Sequence, residues 1–256
     1  MKISVVTVAF NSAATIADTL RSISSQSHAD VEHLVIDGGS TDGTLDIVRS
    51  WTGHAVRLVS EPDEGIYDAM NKGFALASGE IIGFLNSDDF YASSSVLAEV
   101  VEVFRNASVG ACHADLAYVT PDNRRVVRYW QSKSFVKGAF ALGWCPAHPT
   151  FYVRKSVIAR FGVFDKSLKL AADAELMMRY LERNGVRSVY IPRVWVRMRL
   201  GGQTNQSLRN IVQQNREILF GLRANGIPYS TLLFAINKIR NRIWQFVAGR
   251  MGQHEQ

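Results

Sequence analysis

Two hydrophobic rhythms alternate along the first hundred positions. Ile3 to Ala9 is a short β-branched run ended by Asn11 and Ser12, too short for a helix and therefore a buried strand. Ile16, Leu20 and Ile23 then recur at helical spacing, with Asp18 and Arg21 facing away. Val31 to Ile36 reads as a second strand, and the glycine-rich turn from Asp37 to Thr44 opens a helix carrying Leu45, Ile47, Val48 and Trp51. The pattern repeats with a strand at Val56 to Ser60, a helix from about Ile66 to Ala77 and a strand at Ile81 to Leu85. Alternating β and α units of this kind predict a doubly wound, mostly parallel sheet.

The rhythm changes after the helix predicted at Ser95 to Phe104. Val109 to Val119, a turn at Pro121-Asp122-Asn123-Arg124, and Val126 to Trp130 predict an antiparallel hairpin. Trp144 to Thr150 carries two prolines, which argue against a helix there, and leads into a strand at Phe151 to Val153. Leu170 to Arg179 starts a helix, with Asp165 in a turn before it. Val194 to Arg199 alternates as a strand, and Leu200-Gly201-Gly202-Gln203-Thr204 is a loop that could fold over a diphosphate or simply lead into a helix. Leu208, Ile211, Val212, Ile218, Leu219 and Leu222 form a helical stripe stopped by Asn225-Gly226-Ile227-Pro228. A further amphipathic stretch sets Leu232, Ile236, Ile239, Ile243, Phe246 and Val247 against Lys238, Asn241, Arg242 and Gln245.

Composition narrows the partners. The 256 residues are 47% hydrophobic, enough for one large core, and 29 basic against 23 acidic side chains give +6, which suits an anionic ligand or membrane surface. No apolar run approaches the length needed to span a bilayer, and Met1 to Phe10 is too short for a signal peptide. A cytoplasmic protein is expected. Cys112 and Cys145 lack metal-ligand spacing and read as buried or half-buried thiols.

Chemistry concentrates where strands end. Asn86, Ser87, Asp88 and Asp89 follow the Ile81 to Leu85 strand at the carboxyl edge, where open α/β sheets bind ligands. Adjacent carboxylates there fit a hard divalent cation against a phosphate; as helix cap and turn formers they fit a purely structural role equally well. Asp37, with Gly38 and Gly39 behind it, could meet a base or ribose, or belong to a plain turn. No GxGxxG fingerprint and no P-loop occurs.

The segments Ser4 to Asn11, Val35 to Thr44 and Gly79 to Asp89 resemble the family 2 glycosyltransferases of the GT-A fold, and Glu61 to Gly73 resembles a branch found in bacterial polysaccharide clusters. The resemblance covers roughly the first 200 residues. It implies an α/β GT-A fold, with a Rossmann-like nucleotide-binding half, antiparallel acceptor-side strands and C-terminal helices. It makes Asp37 the contact to the nucleotide base, with Thr7, Ala9, Asn86 and Ser87 also on the donor side. Asp88 becomes the metal ligand for Mn2+ or Mg2+, with Asp89 supporting it. Asn86 departs from the pattern by standing where the first Asp of a DxD motif is expected, adding no charge. In the second half, His148 matches a family histidine and Trp144 could stack on a sugar or be buried. Asp173 matches the general base, Ala172 replacing the Glu that usually precedes it, and Glu175 and Arg199 are candidates on the acceptor or diphosphate side.

The expected activity is inverting transfer of a sugar from a nucleoside diphosphate sugar to an acceptor hydroxyl, which the family likeness places on a lipid-linked glycan in cell-surface polysaccharide assembly. A catalytically inactive GT-A scaffold and a sugar nucleotidyltransferase are the alternatives. The division expected is a GT-A domain at 1–203 and a basic, amphipathic helical extension at 204–256. Residues 229–250 could touch the inner face of a membrane or pack on a subunit; no nucleic acid partner is expected, and the oligomeric state is open.

Overall fold

The computed structural model describes residues 1–123, 125–200, 208–238 and 240. The first half holds β1 (Ile3–Ala9), α1 (Ile16–Ser24), β2 (Val31–Asp37), α2 (Thr44–Arg49), β3 (Val56–Ser60), α3 (Ile66–Leu76) and β4 (Ile81–Phe84). The expected alternation is thus present, and α1 carries the three apolar positions Ile16, Leu20 and Ile23 on its buried face. β5 (Asp89–Tyr91) and α4 (Val96–Phe104) follow, then the hairpin of β6 (Ala111–Val119) and β7 (Val126–Trp130). β8 (Tyr152–Arg154), α5 (Lys155–Phe161), α6 (Ala172–Met177), β9 (Ser188–Arg199) and α7 (Leu208–Ala224) complete the named elements, and residues 231–238 are helical.

One mixed sheet runs β3-β2-β1-β4-β8-β6-β9-β5, with β7 paired to β6. Its first four strands are mutually parallel. β8 is antiparallel to both β4 and β6, β5 is antiparallel to β9, and β6 and β9 run parallel. The first, second and fourth strands therefore end side by side, because β1 lies between β2 and β4.

Strand alternation decides which layer each side chain joins. Val6 and Val8 of β1 pack with Met70 and Phe74 of α3, whereas Ile3 and Val5 join Val96, Leu97 and Val100 of α4. The C-terminal helices share the first of these layers: Leu222, Ile227 and Phe234 are buried in it together with α3 and α6. Beyond α6 the chain widens into a π-helical turn at Met178–Arg183. Two features were not legible beforehand. β5 follows Asp88 directly where a helix was the structural alternative, and His148–Thr150 forms a short 3-10 turn despite Pro149. Proline is tolerated at a first helical position, where its missing N–H has no intrahelical partner to lose.

Candidate active site

Three loops meet at the carboxyl edge of β1, β2 and β4, and short polar side chains join them. Asn11, with φ of 49°, receives Thr41 N–H on its Oδ1 at 2.9 Å, while its own N–H donates to Ser40 Oγ at 2.8 Å. Ser12 N–H donates to Thr44 Oγ1 at 2.8 Å, and Ser12 Oγ lies 2.8 Å from Ser87 Oγ. The loops after the first and fourth strands are thereby tied directly.

Asp37 organises this edge from within. It is fully buried, and its carboxylate accepts Gly39 N–H and Ser40 N–H at 2.9 Å each, Ser60 Oγ–H at 2.8 Å, and Ser40 Oγ–H. Register explains the Ser60 contact, since Asp37 and Ser60 are partners across β2 and β3. Burial pushes the Asp37 pKa up, but the hydrogen bonds from Ser40, Ser60 and Gly39 outweigh it and hold the group below its ordinary value. In this arrangement the carboxylate has no exposed surface and both oxygens engaged, and it shapes the loop over which a base would lie. The surface above that loop belongs to other side chains. A Cβ on Gly38 would stand 2.4 Å from Asp63 Oδ2 and 3.5 Å from Phe10 Cδ2, so glycine leaves a shallow floor between a carboxylate and an exposed aromatic ring.

Thr7 and Ala9 do not reach this floor with their side chains. Thr7 Oγ1 is buried and shares a hydrogen bond of 3.0 Å with His33 Nε2, and His33 Nδ1 lies 2.8 Å from His54 Nε2. Ala9 packs with Ile16, Leu20, Val35 and Val48, its carbonyl receiving Gly38 N–H at 2.9 Å. The β1 pleat turns these side chains into the layers, so any donor contact at Thr7 or Ala9 falls to the backbone.

The β4 loop is different. Asn86 Oδ1 and Asp89 Oδ1 are buried acceptors with no hydrogen-bond partner among the described residues, although Asn86 Nδ2 approaches Asp89 Oδ2 at 3.4 Å. Leaving a buried acceptor unpaired costs about 1–3 kcal/mol. Asp88 is part-exposed beside them. Burial raises the pKa of both carboxyls, and for Asp89 the Asp88 charge raises it further. Arg199 stands behind the loop and contacts its backbone: Nη1 donates to the Asp88 carbonyl at 3.0 Å, Nε to the Pro121 carbonyl at 3.1 Å, and Nη2 to the Asp18 carboxylate. Its guanidinium carbon lies 5.0 Å from the Phe90 ring centroid. Arg199 is thus a brace for the acidic loop, with each nitrogen already engaged. The loop at Gly201 to Thr204 lies outside the described residues.

On the far side of β4, Phe84 carries the site towards Asp173. The His148 ring is buried 5.4 Å from Phe84 and 5.6 Å from Phe164, centroid to centroid. Burial lowers its pKa while the nearby Asp173 charge pulls the other way, so His148 and Asp173 are neighbours. Tyr67 also packs on Phe164, at 5.4 Å, and its hydroxyl donates to Asp173 Oδ1 at 3.0 Å. Asp173 is the one residue of 171–178 that is not buried. Tyr67 was missed by sequence reasoning, although it lies inside the quoted Glu61 to Gly73 segment.

Two further candidates serve packing. Trp144 is buried among His113, Phe135 and Phe140 at ring distances of 5.7, 5.9 and 5.3 Å, which favours the buried alternative over sugar stacking. Glu175 pairs with Arg179 at 2.9 Å and accepts Asn225 Nδ2–H at 3.1 Å. Its carboxylate ties α6 to Asn225 just past the end of α7, with both oxygens engaged. Cys112 is buried and Cys145 half-buried, both free thiols as expected.

No group of three His, Cys, Asp or Glu side chains that could hold a metal occurs among the described residues. The oxygen donors at the β4 loop nonetheless fit a hard cation of the Mg2+ or Mn2+ type, which takes one or two carboxylates and completes its shell with substrate phosphates and water. The unpartnered Asn86 and Asp89 oxygens agree with such a centre.

The family model described as Glycosyl transferase family 2 matches residues 4–168. The chain belongs to this family. A glycosyltransferase of Mycobacterium tuberculosis (strain CDC 1551 / Oshkosh) is 31% identical to it over 182 residues, covering 69% of this chain and 68% of the relative. Among solved structures, S. aureus TarS 1-349 in complex with UDP-GlcNAc superposes with a TM-score of 0.67 at 22% identity, covering 87% of this chain and 66% of that one. In another TarS structure this chain spans 40% of the length. The mannosyltransferase PcManGT from Pyrobaculum calidifontis, in complex with GDP-Man and Mn2+, superposes at 0.66 with 19% identity, covering 98% of this family 2 chain and 73% of its own. At these identities the superpositions establish the GT-A fold. The activity class of this family 2 glycosyltransferase is sugar transfer.

Proposed function

We propose that this glycosyltransferase moves one sugar from a nucleoside diphosphate sugar to an acceptor hydroxyl by single displacement with inversion. The observation that carries the reading is the β4 loop, where Asp88 stands beside two buried acceptor oxygens that lack partners. The diphosphate lies against this loop and the base over Gly38, between Phe10 and Asp63. A divalent cation held by Asp88, with Asn86 and Asp89 supporting it, would offset the charge on the departing diphosphate. Asp173 takes the proton of the acceptor hydroxyl as its oxygen forms the new bond to the anomeric carbon. The bond from that carbon to the diphosphate breaks, its electron pair leaving with the nucleoside diphosphate. His148, held neutral by burial, borders the sugar between Phe84 and Asp173.

The acceptor proposed is a lipid-linked glycan met at a membrane surface. The net charge of +6 and the exposed Leu232, Leu233 and Ile236 support it; no helix among the described residues is long and apolar enough to cross a membrane. Of the amphipathic stretch predicted to 250, residues 239 and 241–250 lie outside the described residues. The two-domain division remains an expectation, with the shared burial of Leu222 and Phe234 counting towards a single folded unit.

The test uses UDP-, GDP- and dTDP-sugars with Mn2+, radiolabelled in the sugar, and membrane extract as acceptor source. Asp173→Asn is expected to lose transfer by at least roughly a hundredfold while still binding donor, and Asp88→Ala to lose the metal-dependent part of donor affinity. Normal turnover by Asp173→Asn sinks the base assignment. Label that stays wholly in the aqueous phase sinks the lipid-linked acceptor.

A further inference from the structure

Tyr67 stands in the first turn of α3 and reaches Asp173 in α6, 106 positions away. Its ring is fixed against Phe164, which is itself buried. Burial first, and then the Asp173 charge, push the Tyr67 phenol well above its ordinary range, so it keeps its proton and donates. Among the described residues, the other groups around the pair supply no competing charge-assisted bond. The Cys145 thiol, beside Lys238, is pushed well up by burial and by the Asp173 charge, and therefore stays neutral. His148 is held below its ordinary value by burial. Glu217 of α7 is the remaining charge felt by Tyr67, and its Oε2 is taken by Leu170 N–H and Ala171 N–H at 2.7 and 2.9 Å.

A carboxylate that must collect a proton needs one oxygen fixed and one open. Tyr67 holds Oδ1, and Oδ2 has no hydrogen-bond partner among the described residues. The placement of Tyr67 also matters, because α3 begins directly after the segment whose Asp63 overhangs Gly38. One short piece of chain thus borders the nucleotide floor and grips the base.

We propose that Tyr67 is the positioning residue for Asp173, orienting its carboxylate so that Oδ2 alone meets the acceptor hydroxyl. This inference rests on the reading of Asp173 as the general base. Removing the phenol hydroxyl frees the Asp173 rotamer, so that Oδ2 is less often in line with the acceptor proton.

The experiment compares wild type, Tyr67→Phe and Asp173→Asn. It measures nucleoside diphosphate release from UDP-glucose, UDP-N-acetylglucosamine and GDP-mannose with Mn2+, donor Kd by calorimetry, and Tm. Tyr67→Phe keeps the ring on Phe164. Its kcat is expected to fall about tenfold or more, as for loss of one hydrogen bond to a charged group. Donor Kd should stay within about twofold and Tm close to that of the wild type. A Tyr67→Phe enzyme with wild-type kcat overturns the proposal, and so does one in which Kd, Tm and kcat decline together. Full turnover by Asp173→Asn overturns the base assignment instead, which separates the two failures.

Discussion

Side chains of similar type do opposite work at this sheet edge according to how many partners reach them. Asp37 and Asp89 both end buried beside a strand terminus, but four donors converge on Asp37 whereas one oxygen of Asp89 has none. The first holds a loop closed, and the second is free to support a ligand. Gly38 illustrates the same economy of space. An added methyl would press on the far end of the Asp63 side chain, which can rotate away, so Gly38→Ala should change stability by less than about 1 kcal/mol. If the base lies on that floor, donor Kd should nevertheless weaken several-fold, and calorimetry with UDP checks it; unchanged affinity would take the base away from Gly38. Asp37, Asp88 and Asp173 were each conspicuous in the sequence as acidic residues at element ends. Which of them was already engaged was not, because Ser60 reaches Asp37 from the neighbouring strand and Tyr67 reaches Asp173 from another helix.

At the scale of elements, the proposed base Asp173 is set by helices contributed from distant parts of the chain. α6 is only six residues long, too short to be stable alone, and it carries Asp173 in its first turn. α7 supports it from outside: Glu217 accepts the two backbone N–H groups just before α6, and Asn225 holds Glu175. Glu217→Ala leaves those N–H groups without that acceptor at a helix start, a loss of about 1–2 kcal/mol. A lower Tm and a lower kcat at unchanged donor Kd are expected from denaturation and turnover measurements. Equal loss of donor affinity would mean that α7 supports the whole edge rather than the base. The periodicity from Leu208 to Leu222 announced α7 as an amphipathic helix, but not that Ile218, Leu219 and Leu222 pack into the layer that holds α6.

For the whole molecule, buried imidazoles predict a specific response to acid. His33 is completely buried between Thr7 and His54; burial first, and then the His54 charge, lower its pKa from 6.5 to about 3. The unfolded chain therefore binds this proton first, and stability is lost as pH falls below about 6.5, by about 2 kcal/mol at about pH 5 from this group alone. Glu32, with its pKa lowered to about 2, adds its loss only at lower pH, as the unfolded carboxyl begins to protonate. His33→Gln should flatten the decline in Tm between about pH 6.5 and 5 while leaving the later fall in place; an unaltered slope would show that His33 is not the titrating group. The sequence by itself determined the βα alternation, the strand ends that bear Asp37 and Asp88, and the family resemblance, because these depend on local periodicity and on residues close together in the chain. The tertiary structure alone decided that Asp37 closes a loop, that Arg199 braces the acidic turn, that Trp144 and Glu175 serve packing, and that Tyr67 grips Asp173. Those outcomes depend on burial and on hydrogen bonds between groups far apart along the chain, and no local pattern records which distant donor reaches a given acceptor.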